Sequence, residues 1–170
     1  LFIDEAGQIS IADLIALGGV AKNIILVGDQ QQLKQPNQGS HPGLSSNSVL
    51  DYLLEGKDTV QDNRGIFLNR TFRMHPEINT YVSENFYENK LLTNPKNQNR
   101  EIDYPNNFLV NKEGIHSVLM DHEDCTQTSE EEFKKIEHII KKLIGKKFTD
   151  SDGKDRPLQI EDFLIVSPYN

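Results

Sequence analysis

Two adjacent carboxylates follow the first apolar segment and are the first residues that could do chemistry. Residues 1–3 (LFI) lead directly into Asp4 and Glu5. This pattern predicts a strand buried on both faces, with its carboxyl end at the edge where parallel sheets bind ligands. Two acids there need a positive partner, and the candidate is a magnesium ion carrying a nucleotide. In that interpretation Asp4 holds the metal, directly or through water, and Glu5 deprotonates a water that attacks a phosphate. A strand end with two solvated carboxylates explains this stretch alone equally well.

A glutamine-rich tip follows a second apolar segment. Residues 24–27 (IILV) end in Gly28 and Asp29, which predicts another buried strand pointing at the same edge. Three glutamines come next, ending at Gln32. A glutamine side chain carries a donor and an acceptor without charge, which suits a group that senses a phosphate or its attacking water. The alternative is a polar surface loop.

Arg73 is the third candidate. It lies between a predicted strand at residues 66–69 and a helix predicted to begin at Pro76, with Glu77 near the positive end of that helix. A guanidinium in such a loop could neutralise charge on a transferring phosphate, as arginine fingers do. The alternative is a surface arginine paired with a local carboxylate.

The helices and strands expected around these residues indicate a parallel sheet. A helix over residues 9–17, stopped by two glycines, joins the first two strands into a right-handed βαβ unit. A short helix follows over residues 49–54, capped by Ser46 or Asn47. Residues 56–65 are charged and irregular, and they form the predicted domain boundary.

The rest of the chain predicts two helices and further strands. The helix from Pro76 places an apolar stripe through residues 78–86, and Ser129 with Glu132 forms a capping box that opens another helix. We predict a loop over residues 93–107, strands at 114–121 and 162–170, and a hairpin about residues 151–153.

Composition limits the class of protein. The chain has 170 residues, a formal net charge of −8 and one cysteine, Cys125. The charge argues against strong nucleic-acid binding by this chain alone, because phosphate contacts need clustered Lys and Arg. A single cysteine excludes an internal disulfide and fits a cytoplasmic protein. We find no membrane-spanning run and no secretory signal, and we expect the chain to be part of a longer protein.

Four motifs together carry a resemblance to a known family. They are DEAG at residues 4–7, GDxxQL at 28–33, FRMHP at 72–76 with FY at 86–87, and VSPYN at 166–170. In this order and spacing they resemble the superfamily-1 helicases of the nonsense-mediated-decay and DNA-replication helicase-nuclease group. The stretches around residues 38–42 and 127–129 look most like bacterial members, some of which are fused to a RecB-like nuclease.

The resemblance implies an α/β fold of the P-loop NTPase type, with RecA-like parallel sheets flanked by helices. Residues 1–65 would be the C-terminal part of a first RecA-like domain, and 66–170 a second one truncated at its C-terminus. Such proteins bind ATP and Mg²⁺ between the two domains and move along single-stranded DNA or RNA. The resemblance implies no membrane partner.

The resemblance also assigns roles to the candidate residues. Asp4 resembles the magnesium-binding acid and Glu5 the catalytic base. Gln32 resembles the glutamine that contacts the γ-phosphate and couples it to nucleic acid. Arg73 resembles the arginine that reaches the γ-phosphate from the second domain.

The sequence departs from the family pattern in several places. It contains no G-x-x-x-x-G-K-[ST] loop, so we expect the isolated chain to be inactive on ATP. It also lacks the final arginine motif, an extra residue precedes Pro36, and Thr71 stands where an amide is common. Two alternatives remain: a degenerate RecA-like binding or regulatory module, and a metal-dependent nuclease component using Asp4 and Glu5.

Overall fold

The computed structural model describes residues 1–32, 42–104, 113–121 and 128–167. Several features read from the sequence lie wholly or partly outside these ranges: the glutamine motif from Leu33 with the extra residue before Pro36, the stretches around residues 38–42 and 127–129, Cys125, and the last motif from Pro168 onward. The elements are β1 (Phe2–Ile3), α1 (Ile11–Gly18), β2 (Ile25–Leu26), α2 (Val49–Leu54), β3 (Arg70–Thr71), α3 (Pro76–Phe86), β4 (Leu92–Thr93), β5 (Glu101–Ile102), α4 (Glu130–Leu143), β6 (Lys147–Thr149) and β7 (Asp155–Pro157), with 3-10 helices at Pro95–Asn99 and Ile160–Asp162.

The first strand pair is parallel, as predicted. Phe2 of β1 lies opposite Ile25 of β2, and α1 connects the two strands. The core under this pair consists of Ile3, Ala6 and Val49. Burial on both faces was wrong, because Phe2 is 76% exposed while Ile3 is 8% exposed. The described residues supply apolar cover for only one side of β1.

Serine hydroxyls cap the two helices of this region. Ser10 Oγ accepts the Asp13 amide hydrogen at 3.1 Å to begin α1, and Ser48 Oγ accepts the amide hydrogen of Asp51 at 3.5 Å to begin α2. The prediction of Ser46 or Asn47 as the second cap was therefore wrong. Each such cap stabilises a helix by about 1 kcal/mol.

A second parallel pair surrounds α3. The strand predicted at residues 66–69 instead lies at β3, where Arg70 faces Leu92 of β4. Ile66 and Leu68 remain 87% and 76% exposed. The helix begins at Pro76 as predicted, but its buried residues include polar Asn79 and Ser83.

The third sheet is antiparallel, in the order β5-β6-β7. Its hairpin turn confirms the one predicted about residues 151–153, and Ser129 caps α4 by accepting the Glu132 amide hydrogen at 3.2 Å. Tyr104, Leu143 and Leu158 form the core beneath it. The loop predicted over residues 93–107 was wrong in part, since β4, a 3-10 helix and β5 lie there.

Two apolar runs that predict buried strands do not form them. No strand occurs at 114–121 or among the described residues of 162–170. Leu119 is 94% exposed and Leu164 is 89% exposed, although Phe163 beside Leu164 packs against the core of Tyr104, Leu143 and Leu158. Apolar composition alone does not supply the hydrogen-bonding partner that a strand needs.

Contacts divide the chain into two units. One contains Leu1–Asn69 and Val82–Leu91, and the other contains Arg70–Tyr81 and Leu92–Asn170. The second half of α3 thus belongs with the first unit. The domain boundary expected between residues 65 and 66 stays a prediction. None of the helices in the described ranges has the length and apolar character needed to cross a membrane.

Candidate functional site

The Asp4-Glu5 pair occupies a turn at the carboxyl end of β1. Both side chains are exposed, and the Glu5 backbone amide donates to Asp4 Oδ1 at 3.0 Å. Glu5 has a φ of 52°, in the left-handed region that favours glycine. A non-glycine residue held there costs about 1–3 kcal/mol, and such strain clusters at functional sites. The turn therefore presents two carboxylates in a conformation that local stability does not favour.

Two glycines press this turn against the end of β2. A Cβ added to Gly7 would lie 2.2 Å from the Asp29 carbonyl oxygen, and one on Gly28 would lie 2.6 Å from the Ala6 nitrogen. Because real Cβ contacts are never that short, no other residue fits without a backbone shift. The Ala6 amide donates to the Val27 carbonyl at 2.9 Å, which ties the two strand ends together.

Asp29 organises the glutamine tip that follows β2. Its Oδ1 accepts the Gln31 amide hydrogen at 3.0 Å, and its carbonyl accepts that of Gln32 at 3.4 Å. The Gln32 side chain is exposed. Asp4, Glu5 and Gln32 thus all follow the carboxyl ends of β1 and β2, as the sequence predicts.

Side chains from elsewhere in the first unit hold the same tip. Gln31 Nε2 donates to Asp58 Oδ1 at 3.1 Å, and Gln30 Nε2 donates to the Asp58 carbonyl. Tyr87 donates its hydroxyl to Asp29 Oδ2 at 2.7 Å. Burial, and then the hydrogen bond to Asp29, raise the pKa of Tyr87 far above its usual range, so the phenol stays protonated.

Sequence reasoning assigned Tyr87 no role in the site. The signal that could have found it is the Phe86-Tyr87 pair, which the motif comparison singled out without a function. A half-buried tyrosine needs a partner for its hydroxyl, and a carboxylate at a strand end is a suitable acceptor.

Arg73 lies in the second unit, in the loop between β3 and α3. Its guanidinium is exposed, and no carboxylate pairs with it in the described part of the chain. The Thr71 hydroxyl accepts the amide hydrogens of Arg73 at 3.2 Å and of Met74 at 3.4 Å. Asn97 donates to the Met74 carbonyl at 3.0 Å, and Arg100 donates to that of Arg73 at 2.6 Å. These contacts fix the loop backbone without using the Arg73 guanidinium.

The donor set at residues 4 and 5 fits a hard divalent cation. Carboxylate oxygens suit Mg²⁺, which keeps several waters and binds through one or two carboxylates together with substrate phosphates. Neither Asp4 nor Glu5 has a basic partner among the described residues. Within those same ranges, no group of three or more His, Cys, Asp or Glu could hold a metal by itself. A magnesium ion held here would therefore need further ligands, such as water or substrate phosphates.

Comparisons with known proteins identify the family of the chain. A family model described as an AAA domain matches residues 46–170. A zebrafish (Danio rerio) protein described as a probable helicase with zinc finger domain is 29% identical over 175 residues. That alignment covers 99% of this chain and 9% of the relative's length. No solved structure matches. With the parallel strand pairs, the family match confirms the predicted α/β fold class, with RecA-like sheets flanked by helices.

Proposed function

Because the chain belongs to the AAA domain family, of the P-loop NTPase type, we propose that it forms part of an ATP-dependent superfamily-1 helicase or translocase. The observation that carries this proposal is the exposed Asp4-Glu5 turn beside the Gln32 tip, at the carboxyl ends of two parallel strands. Ligands bind at this edge in open α/β sheets. The similarity to a relative described as a probable helicase supports the same conclusion.

Each candidate residue has a role in phosphate transfer. A magnesium ion bound with ATP would supply positive charge that neutralises the phosphates. Asp4 would hold that ion directly or through water, and Glu5 would accept the proton of the attacking water. Gln32 contacts the γ-phosphate from the tip after β2. Arg73 supplies positive charge to the transferring phosphate from the loop before α3.

The substrate polymer is single-stranded DNA or RNA. The net charge of −8 favours a phosphate-binding surface that lies mostly outside these residues. The chain spans 9% of the relative's length, so a longer protein has room for that surface and for the phosphate loop. We further propose the domain division at residues 65 and 66, inactivity of the isolated chain on ATP, and a cytoplasmic location. A bacterial source and a fused RecB-like nuclease stay predictions from the resemblance.

The metal role of Asp4 is tested by Asp4→Asn in the full-length protein. ATP hydrolysis in the presence of single-stranded nucleic acid is measured against magnesium concentration. Loss of one anionic ligand is expected to raise the half-maximal magnesium concentration by about tenfold or more, since each 1.4 kcal/mol of lost binding is a factor of about ten.

Asp62→Asn is the matched control, because Asp62 is another exposed carboxylate of the same unit. It should leave the magnesium dependence unchanged. An Asp4→Asn protein with the parent's magnesium dependence contradicts the metal role. Magnesium-dependent cleavage of nucleic acid without ATP hydrolysis in the parent supports the nuclease alternative instead.

A further inference from the structure

We propose that Tyr87 is a positioning residue that fixes the Gln32 tip by holding Asp29. This inference rests on the proposed function, since it concerns how the γ-phosphate contact is placed. Tyr87 follows the last residue of α3, and Asp29 follows β2. Both belong to the first unit. Their hydrogen bond links segments 58 residues apart in the chain.

Asp29 uses three groups to connect the site. Its Oδ2 accepts from the Tyr87 hydroxyl at 2.7 Å, and its Oδ1 accepts from the Gln31 amide at 3.0 Å. Its carbonyl accepts from the Gln32 amide at 3.4 Å and lies where a Cβ on Gly7 would be. A rotation of Asp29 therefore disturbs the glutamine tip and the segment just after Glu5 together.

Tyr87 is itself anchored, so it can act as a fixed point. Its amide donates to the Ser83 carbonyl at 3.1 Å, and the Ser83 hydroxyl accepts from the Leu91 amide at 3.0 Å. Ser83 is buried, and the Tyr87 ring centroid lies 6.0 Å from that of Phe67. Gln31 Nε2 adds a contact to the Phe86 carbonyl at 3.4 Å. The end of α3 thus holds Tyr87 in place and contacts the glutamine tip.

The chemistry of the bond explains why one hydroxyl matters. A hydrogen bond to an ionised carboxylate is stronger than a neutral one. Without the Tyr87 hydroxyl, half-buried Asp29 still accepts the Gln31 amide hydrogen, but it loses the donor that fixes the plane of its carboxylate. Gln32 acts on a reacting phosphate, so misplacement of its tip lowers the rate of the chemical step rather than the binding of ATP.

The test is Tyr87→Phe in the full-length protein, which removes the hydroxyl and keeps the ring. We expect kcat for nucleic-acid-stimulated ATP hydrolysis to fall by roughly tenfold to a hundredfold. KM for ATP should stay within about twofold, because ground-state binding is not touched. Tyr52→Phe makes the same change at an exposed tyrosine of α2 and should behave like the parent. Parent-like kcat, or a rise in KM with kcat unchanged, overturns the proposal.

A double-mutant cycle with Asp29→Asn separates positioning from general damage. If Tyr87 acts through Asp29, the double variant should lose no more kcat than the worse single variant, since coupled residues are not additive. Losses that multiply show that the two residues act independently, and they contradict the proposal.

Amide hydrogen exchange decides the proposal without reference to ATP. Tyr87→Phe should speed exchange at Gln31 and Gln32 by about tenfold or more, because local opening becomes easier. Unchanged exchange at both amides overturns the proposal even in an active enzyme. A parent that hydrolyses no ATP, but whose tip amides respond to Tyr87→Phe, contradicts the proposed function and leaves the positioning contact supported.

Discussion

At the scale of single residues, Glu5 combines exposure with an unfavourable backbone. Its φ of 52° is that of a glycine position, yet the chain keeps a carboxylate there. The hydrogen bonds described for this turn use backbone groups and the Asp4 carboxylate, and none of them uses the Glu5 side chain. Glu55, Glu88 and Asn89 also have a positive φ, so the backbone of Glu5 supports a functional role only together with its place at the carboxyl end of β1.

Glu5→Gly should therefore stabilise the folded chain while it removes the carboxylate. Relief of left-handed strain contributes about 1–2 kcal/mol, and the greater flexibility of unfolded glycine offsets about 0.5–1 kcal/mol. A net gain of about 0.5–1 kcal/mol is expected from urea unfolding. Glu55→Gly is the comparison, because Glu55 has a φ of 55° at the end of α2. If Glu5→Gly lowers the free energy of unfolding, the strain argument is wrong.

At the scale of elements, features set by neighbouring residues were predicted better from the sequence than features that depend on residues far along the chain. Pro76 and Ser129 mark helix starts as predicted, because a helix start depends on residues within one turn, whereas the caps at Ser10 and Ser48 were not predicted. Burial of Leu68 or Leu164 depends on partners far along the chain, which composition does not reveal. The same division holds in the candidate site, where side-chain types were readable from sequence but the hydrogen bond between Asp29 and Tyr87 was not.

The loop that carries Arg73 shows the same limit of prediction from the sequence. Arg73 was recognisable from its place before a helix, but the side chains that hold its backbone come from Thr71, Asn97 and Arg100. Asn97 is 2% exposed and lies in a stretch that the sequence predicts as loop. A polar residue buried by a contact across the fold leaves no periodic pattern to read.

The close approach of the two strand ends predicts the effect of a single methyl group. In Gly28→Ala the new Cβ meets the Ala6 nitrogen at 2.6 Å, so the backbone must shift. A loss of about 1–3 kcal/mol is expected from urea unfolding, as for other overpacked sites. Gly18→Ala, in helix α1 with nothing within 4 Å, should instead stabilise by about 0.5–1 kcal/mol. Equal effects of the two substitutions would contradict the tight contact.

At the scale of the whole molecule, the candidate residues are shared between two units. Asp4, Glu5 and Gln32 lie in the first unit, and Arg73 lies in the second. The chain is acidic, it contains no phosphate loop, and it spans 9% of the relative's length. These facts fit the proposal that the chain is part of a longer protein that supplies the phosphate loop.

Glu5→Gln in that longer protein tests the central claim most directly, with Glu55→Gln as control, since Glu55 is also exposed and also has a positive φ. ATP is bound first, and its cleavage is followed in a single turnover with single-stranded nucleic acid present. If Glu5 is the base, Glu5→Gln should bind ATP as the parent does and cleave it about a hundredfold to ten-thousandfold more slowly, because the group that accepts the proton of water is gone. Parent-like cleavage by Glu5→Gln would contradict the role of Glu5 as the base.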